Sequence, residues 1–113
     1  MAKAPKISFA NNTYDFGTVT EGSPVEYDYV FTNLGENDLY IRKVKGGWGC
    51  TASNAEKSVL KKGESTKIHV TLATQGKSGA VSKNVTVISN DPVNTTTVLT
   101  IKGTVQAKPA GQQ

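Results

Sequence analysis

Val25-Glu26-Tyr27-Asp28-Tyr29-Val30-Phe31-Thr32-Asn33 is the stretch on which the fold turns. Side chains leave alternate faces of a strand, so Val25, Tyr27, Tyr29 and Phe31 share one face. Glu26, Asp28 and Thr32 share the other, with Val30 the one apolar exception. This is the pattern of a half-buried strand, one wall of a core.

The flanking sequence supplies material to pair with it. Upstream, Lys6 to Phe9 is a short extended piece, Asn11-Asn12 a turn, and Tyr14 to Val19 a second piece, closed by Glu21-Gly22-Ser23-Pro24. Together they predict an edge strand broken in its middle. Downstream come Leu39 to Val44, a short piece at Ser58 to Leu60, Thr66 to Ala73, Val81 to Ser89 and Thr97 to Val105. Turn residues at Leu34 to Asp38, Lys61 to Glu64, Gln75 to Gly79 and Asn90 to Asn94 separate them. About seven strands, spaced by roughly 10 residues and without a helical pattern, predict an all-β fold, an immunoglobulin-like antiparallel β-sandwich. The expected core is Phe9, Phe16, Val25, Tyr27, Tyr29, Phe31, Leu39, Ile41, Ile68, Val70, Leu72, Val85, Val87, Leu99 and Ile101, with Val81 and Val105 on the same faces.

A chain of 113 residues is one domain with one core. Residues 6–105 are expected to form it, with 1–5 outside it and 106–113 a polar tail. No run reaches the ~18 apolar residues that a membrane-spanning helix needs. The opening Met-Ala-Lys-Ala-Pro-Lys is basic but lacks the apolar core of a signal peptide. The expectation is therefore a periplasmic or extracellular protein after removal of a leader, or a cytoplasmic one if Met1 is the native start. A net charge of +4 is too mild to argue for nucleic acid.

The least regular segment is Lys45 to Asn54, where Gly46, Gly47 and Gly49 surround Trp48 ahead of Cys50 and Thr51. Three glycines free the backbone around a large aromatic, which predicts a shaped loop. Trp48 reads either as core filler or as an anchor for a partner. Gly46, Gly47, Trp48, Gly49, Cys50 and Thr51 form the candidate partner-binding loop. Arg42, Lys43, Lys45, Lys57, Lys61 and Lys62 form a candidate basic patch, read either as edge-protecting surface charge or as a site for an anionic or carbohydrate polymer. A lone Cys50 excludes an internal disulfide. With His69 the only imidazole, and on an outward face, no catalytic or cofactor site and no metal site is expected. Three triplets, at Asn11, Asn84 and Asn94, match the glycosylation sequon and are read as chance matches in a Thr- and Asn-rich chain.

Tyr14-Asp15-Phe16-Gly17-Thr18-Val19, Phe31-Thr32-Asn33-Leu34-Gly35, Leu39-Tyr40-Ile41, Gly49-Cys50-Thr51, Lys62-Gly63-Glu64, Ser89-Asn90-Asp91 and Leu99 to Val105 occur in an order that resembles a bacterial domain-of-unknown-function family. That family has an immunoglobulin-like fold and is related to Hydin-like (abnormal-spindle, Hydin) domains and, more remotely, to major sperm protein domains. The resemblance spans about residues 6–105 and implies a secreted or periplasmic domain without established enzymatic activity. The expectation for its role, from the ease of edge pairing in such a fold, is a non-catalytic structural or interaction module that binds a protein partner through a sheet edge or the Trp48 loop, or that self-associates. One departure stands out: the family commonly carries Cys-x-Cys-Thr where this chain has Trp48-Gly49-Cys50-Thr51. A redox or metal role resting on paired cysteines is correspondingly weakened.

Overall fold

A computed structural model describes residues 4–47, 49–52 and 55–107 of the chain. Nine strands follow in order: β1 (Ile7–Phe9), β2 (Thr13–Thr20), β3 (Val25–Asn33), β4 (Leu39–Gly46), β5 (Cys50–Ala52), β6 (Val59–Leu60), β7 (Ser65–Leu72), β8 (Gly79–Ser89) and β9 (Thr96–Gln106). They form two facing sheets, β1-β3-β7-β5 and β2-β9-β8-β4-β6. The immunoglobulin-like sandwich expected from the sequence is the architecture observed.

The face assignment of β3 holds residue by residue. Val25, Tyr29, Phe31 and Asn33 are buried, whereas Val30 on the opposite face is 44% exposed. β3 pairs with β7 without a register shift, from Val25 opposite Leu72 to Thr32 opposite Ser65. The facing wall is built by Val85, Val87, Leu99, Ile101 and Val105, and Leu39 and Leu60 close one side. Phe9, Phe16, Tyr27, Ile41 and Val81 pack against this core while remaining half-buried. Tyr29 carries its ring through the core and donates its hydroxyl to the Thr100 carbonyl across the sandwich. Burial raises that phenol to about 12, so it stays a donor at any ordinary pH.

Three features depart from the sequence expectation. The broken edge strand is two strands in different sheets. Ala10 N–H makes the last bond to the first sheet, to Val30 at 3.0 Å, and Asn12 C=O accepts Thr100 N–H at 2.8 Å from the second. Because the chain keeps its direction as it crosses, β2 lies parallel to β9, and the sandwich is not wholly antiparallel. Cys50–Ala52, expected within a loop, is a short strand that pairs with β7 at Leu72, Thr71 and Val70. Ile7 and Leu60 join the core, although neither was among the residues expected there. Strands of three and two residues are too short for alternation to reveal an inward face.

Two polar side chains fix the N-terminal strand. Asn33 is fully buried and satisfies its entire amide: Oδ1 accepts from Lys6 N at 3.1 Å and Gly35 N at 2.9 Å, and Nδ2 donates to Asn37 O at 2.8 Å and Leu60 O at 3.0 Å. Asp91, 1% exposed, accepts from Ile7 N at 2.9 Å, Val93 N at 2.8 Å and Asn94 N at 3.0 Å. Burial pushes the Asp91 carboxyl up, but the backbone donors and the nearby Lys6 charge outweigh it and hold the group below the usual aspartate value. Further along the same edge, β2 bulges at Gly17, whose φ of 75° suits glycine. There the Phe16 ring lies on Gly103, where a Cβ would sit 2.5 Å from the ring.

Candidate functional site

The loop that follows β4 carries the chain from one sheet to the other and is framed by backbone contacts. Gly47 N–H donates to Asn84 O of β8 at 2.8 Å, Cys50 N–H to Gly47 O at 2.9 Å, and Ala73 N–H to Gly49 O at 3.2 Å. The loop is thereby tied to β8, to itself and to the end of β7. A Cβ on Gly47 would meet the Asn84 carbonyl oxygen at 2.7 Å, and Gly49 has φ of 86°. Glycine is therefore required at both positions, at one by close approach and at the other by the backbone conformation. Trp48 lies outside the described residues. Gly46, Gly47, Gly49 and Cys50 are half-buried, and Thr51 is exposed.

Cys50 opposes Leu72 on β7 and packs against the core. Burial raises its thiol, with the Lys83 and Lys77 charges pulling the other way. A raised thiol is a weaker nucleophile and a weaker ligand at neutral pH. Among the described residues no three His, Cys, Asp or Glu side chains converge as a metal site.

His69 lies on the outer face of the first sheet, opposite Asp28 in the β3–β7 register. Its Nδ1 is 2.7 Å from Asp28 Oδ1 and its Nε2 is 2.9 Å from Glu26 Oε1. Hydrogen bonds to these two carboxylates raise the imidazole above its ordinary value, and the bond to His69 lowers Asp28. Lys67 Nζ adds a looser contact to Asp28 at 3.6 Å.

The basic residues lie on and around two paired strands, with Ser58 O accepting Ile41 N–H at 2.8 Å and Ser58 lining the same cleft as Arg42 and Lys43. Arg42, Lys43 and Lys45 are exposed on β4, while Lys57, Lys61 and Lys62 flank β6, which pairs with the opposite end of β4 at Leu39 and Tyr40. Acidic groups break up the set. Glu64 holds Lys57 Nζ at 2.7 Å and accepts Lys61 N–H at 2.7 Å, and Glu56 lines the same cleft as Arg42 and Lys43. The cations beside the loop are Lys77 and Lys83, which were not part of the patch expected from sequence. They lie far from Cys50 along the chain and are brought there by the β7–β8 connection, which carries Lys77, and by β8 itself, which carries Lys83 and pairs with β4.

A strand-swapping, two-sheet sandwich with a glycine-framed loop at one end is an immunoglobulin-like domain. Residues 7–105 match the family described as protein of unknown function (DUF1573), and the chain belongs to that family. No curated protein matches the chain. Among solved structures it is similar to a protein of unknown function from Porphyromonas gingivalis W83, with a TM-score of 0.80 and 19% identity over 91% of this chain. The chain spans about half of that protein, 48% of its length. It is also similar to the ASH / PapD-like domain 7 of human CEP192, with a TM-score of 0.68, 12% identity, and coverage of 94% of this chain and 89% of that one. A third similar structure is the periplasmic chaperone SfaE, with a TM-score of 0.56, 11% identity, and coverage of 92% and 59% respectively. At such identities the likeness establishes the fold.

Proposed function

We propose that this chain is a non-catalytic structural or protein-interaction module of a secreted or periplasmic bacterial protein. It binds a protein partner through a sheet edge or through the loop from Gly46 to Thr51, self-association being one form of that contact. The observation that carries this reading is the mismatch of strand lengths in the first sheet. β1 and β5 have three residues each, while the strands they border, β3 and β7, have nine and eight. β1 covers only the upper end of β3, and among the described residues none pairs with the outward backbone groups of Glu26 and Asp28; unpaired backbone groups on an edge are the simplest source of affinity in such a fold. The PapD-like and periplasmic chaperone folds among the similar structures support the class and the compartment proposed.

Chemical cross-linking in the native envelope, followed by purification of the tagged chain, tests the reading. The expected result is one recurrent cross-linked protein, reduced by Trp48→Ala if the loop makes the contact. A chain that is strictly monomeric by light scattering at high concentration and recovers no recurrent partner would refute it.

A further inference from the structure

We infer that the lower half of β3, Val25 to Tyr29, is a docking edge for an extended peptide segment of a protein partner with lysine or arginine at alternate positions. The inference rests on the module reading above and names the edge and the chemistry of its occupant.

The backbone bonds at the upper end of β3 show which of its groups face outward. Leu34 N–H donates to Lys6 O, and Val30 O accepts Ala10 N–H, so even-numbered residues face β1. Asn33 N–H donates to Glu64 O, and Asn33 O accepts from Gly63, so odd-numbered residues face β7. Alternation along an extended strand continues this to the lower half. The N–H and C=O groups of Glu26 and Asp28 therefore point to the side that β1 occupies only as far as Phe9 opposite Phe31. Beyond that the chain has crossed to the other sheet, and among the described residues none pairs with these four groups.

The remaining edges are blunted. β1 and β5 have three residues, β6 has two, and β4, which β6 covers only at Leu39 and Tyr40, carries a register shift between Ile41 and Lys43. The longer β2 is interrupted at Gly17, where the Asp15 carboxylate takes the Gly17 N–H at 2.9 Å. A bulge and very short strands are the usual protections against edge pairing. The lower half of β3 has neither and keeps an unbroken register.

The side chains select the occupant. A strand laid against this edge would have Glu26 and Asp28 as its cross-strand neighbours on the outer face, two carboxylates that share His69 between them, with Lys67 at 3.6 Å from Asp28, and opposite charges there stabilise while like charges destabilise. Alternate residues would face Tyr27, whose ring stacks on Tyr14 at 4.0 Å and is half-buried at the mouth of the sandwich. The matching segment alternates a basic residue with an apolar one. A second copy pairing through the same edge would set Glu26 against Asp28, acid against acid. This chain's own C-terminal tail offers one Lys108 followed directly by Pro109, which cannot donate to a ladder.

The test uses a fluorescent heptapeptide of alternating lysine and valine, the same peptide with glutamate in place of lysine, and a copy N-methylated at alternate amides. The whole chain should bind the lysine peptide at least tenfold more tightly than the glutamate peptide and should not bind the N-methylated one. Amide exchange at Glu26 and Asp28 should slow on binding. Glu26→Pro removes an outward N–H that pairs with nothing among the described residues, so thermal unfolding should show a folded protein with at least tenfold weaker binding. The double variant Glu26→Lys, Asp28→Lys should reverse the peptide preference. Equal binding of both charged peptides, or unchanged exchange at Glu26 and Asp28, would overturn the inference. Concentration-dependent dimerisation abolished by Glu26→Pro would overturn it in favour of a second copy. If Glu26→Pro leaves envelope cross-linking intact while Trp48→Ala removes it, the edge inference fails and the module reading stands.

Discussion

Replacing Asn33 by alanine should cost more than most core truncations, because it orphans partners on three separate segments at once. The four hydrogen bonds of its amide hold Lys6, Gly35, Asn37 and Leu60. Two of them, to Gly35 N and Leu60 O, are buried, and the other two are part-buried. A buried backbone group left without a partner costs about 1–3 kcal/mol, and water can reach the part-buried pair and recover much of its loss. The sum is about 3–5 kcal/mol for Asn33→Ala. At about 4 °C per kcal/mol for a domain of this size, the melting temperature should fall by about 12–20 °C. Asn33→Asp sharpens the test, since it keeps the shape and both acceptors but turns a carboxylate toward two carbonyl oxygens. Those oxygens and burial raise the new acid's value in the folded state, so the variant should lose stability as pH rises through that raised value and recover part of it in acid. Chemical denaturation at two pH values measures both effects. A loss below about 1 kcal/mol for alanine, or an aspartate variant as stable as the wild type at neutral pH, would refute the account.

Phe31→Ala should cost about 3–5 kcal/mol in equilibrium denaturation, since the ring is fully buried and packs on Phe9 with centroids 5.0 Å apart. Gly103→Ala should displace the Phe16 ring and lower the melting temperature, while Phe16→Ala on the same background should relieve the clash; no loss from Gly103→Ala would contradict the packing. The lowered Asp91 contributes stability above the ordinary aspartate value of 3.8 and loses it as pH falls through the folded value. Asp91→Asn should therefore destabilise at neutral pH and flatten the acid limb of the stability curve. The His69–Asp28 pair is exposed and worth less than about 1 kcal/mol. Its histidine part is present below 6.5 and is lost as pH rises through the raised value, and its aspartate part is present above 3.8, so His69→Gln should show its greatest loss between the two. With Lys57 held by Glu64 and Glu56 beside Arg42 and Lys43, the chain should leave a heparin column at low salt; retention that falls steeply with salt would restore the anionic-polymer site.

What could be read from sequence follows from how local each signal is. The faces of Val25 to Asn33 were legible because polar and apolar residues alternate over a full strand, and the outward position of His69 followed from the same rule in β7. Its partners were not legible, because Asp28 opposite His69 is a register, set by the whole sheet. The sheet switch between Ala10 and Asn12 was visible as a break, but the parallel partner of β2 lies at the far end of the chain. In the loop, three glycines announced a shaped backbone without revealing that it closes against Asn84. Lys77 reaches Cys50 from the β7–β8 connection and Lys83 from β8, so no local pattern could assign them to it.

The residues that carry the family resemblance are largely occupied in holding the sandwich together. Asn33 and Asp91 tie down the N-terminal strand, and Asn90 accepts Tyr40 N–H at 2.8 Å and donates to Asp38 O at 3.2 Å to close the turn after β8. Phe16-Gly17 seats a ring over Gly103 at the one bulged edge. Such residues specify how the chain crosses between sheets and say little about what the domain touches. The features suited to contact, Glu26 and Asp28 on an open edge, lie outside those motifs, where a substitution leaves the core intact, whereas Tyr27 beneath them packs against it. On the proposal above, recognition is free to differ between domains that share this framework, and it should be sought on the β3 edge before the Gly46–Thr51 loop, which shares Gly49-Cys50-Thr51 with the signature.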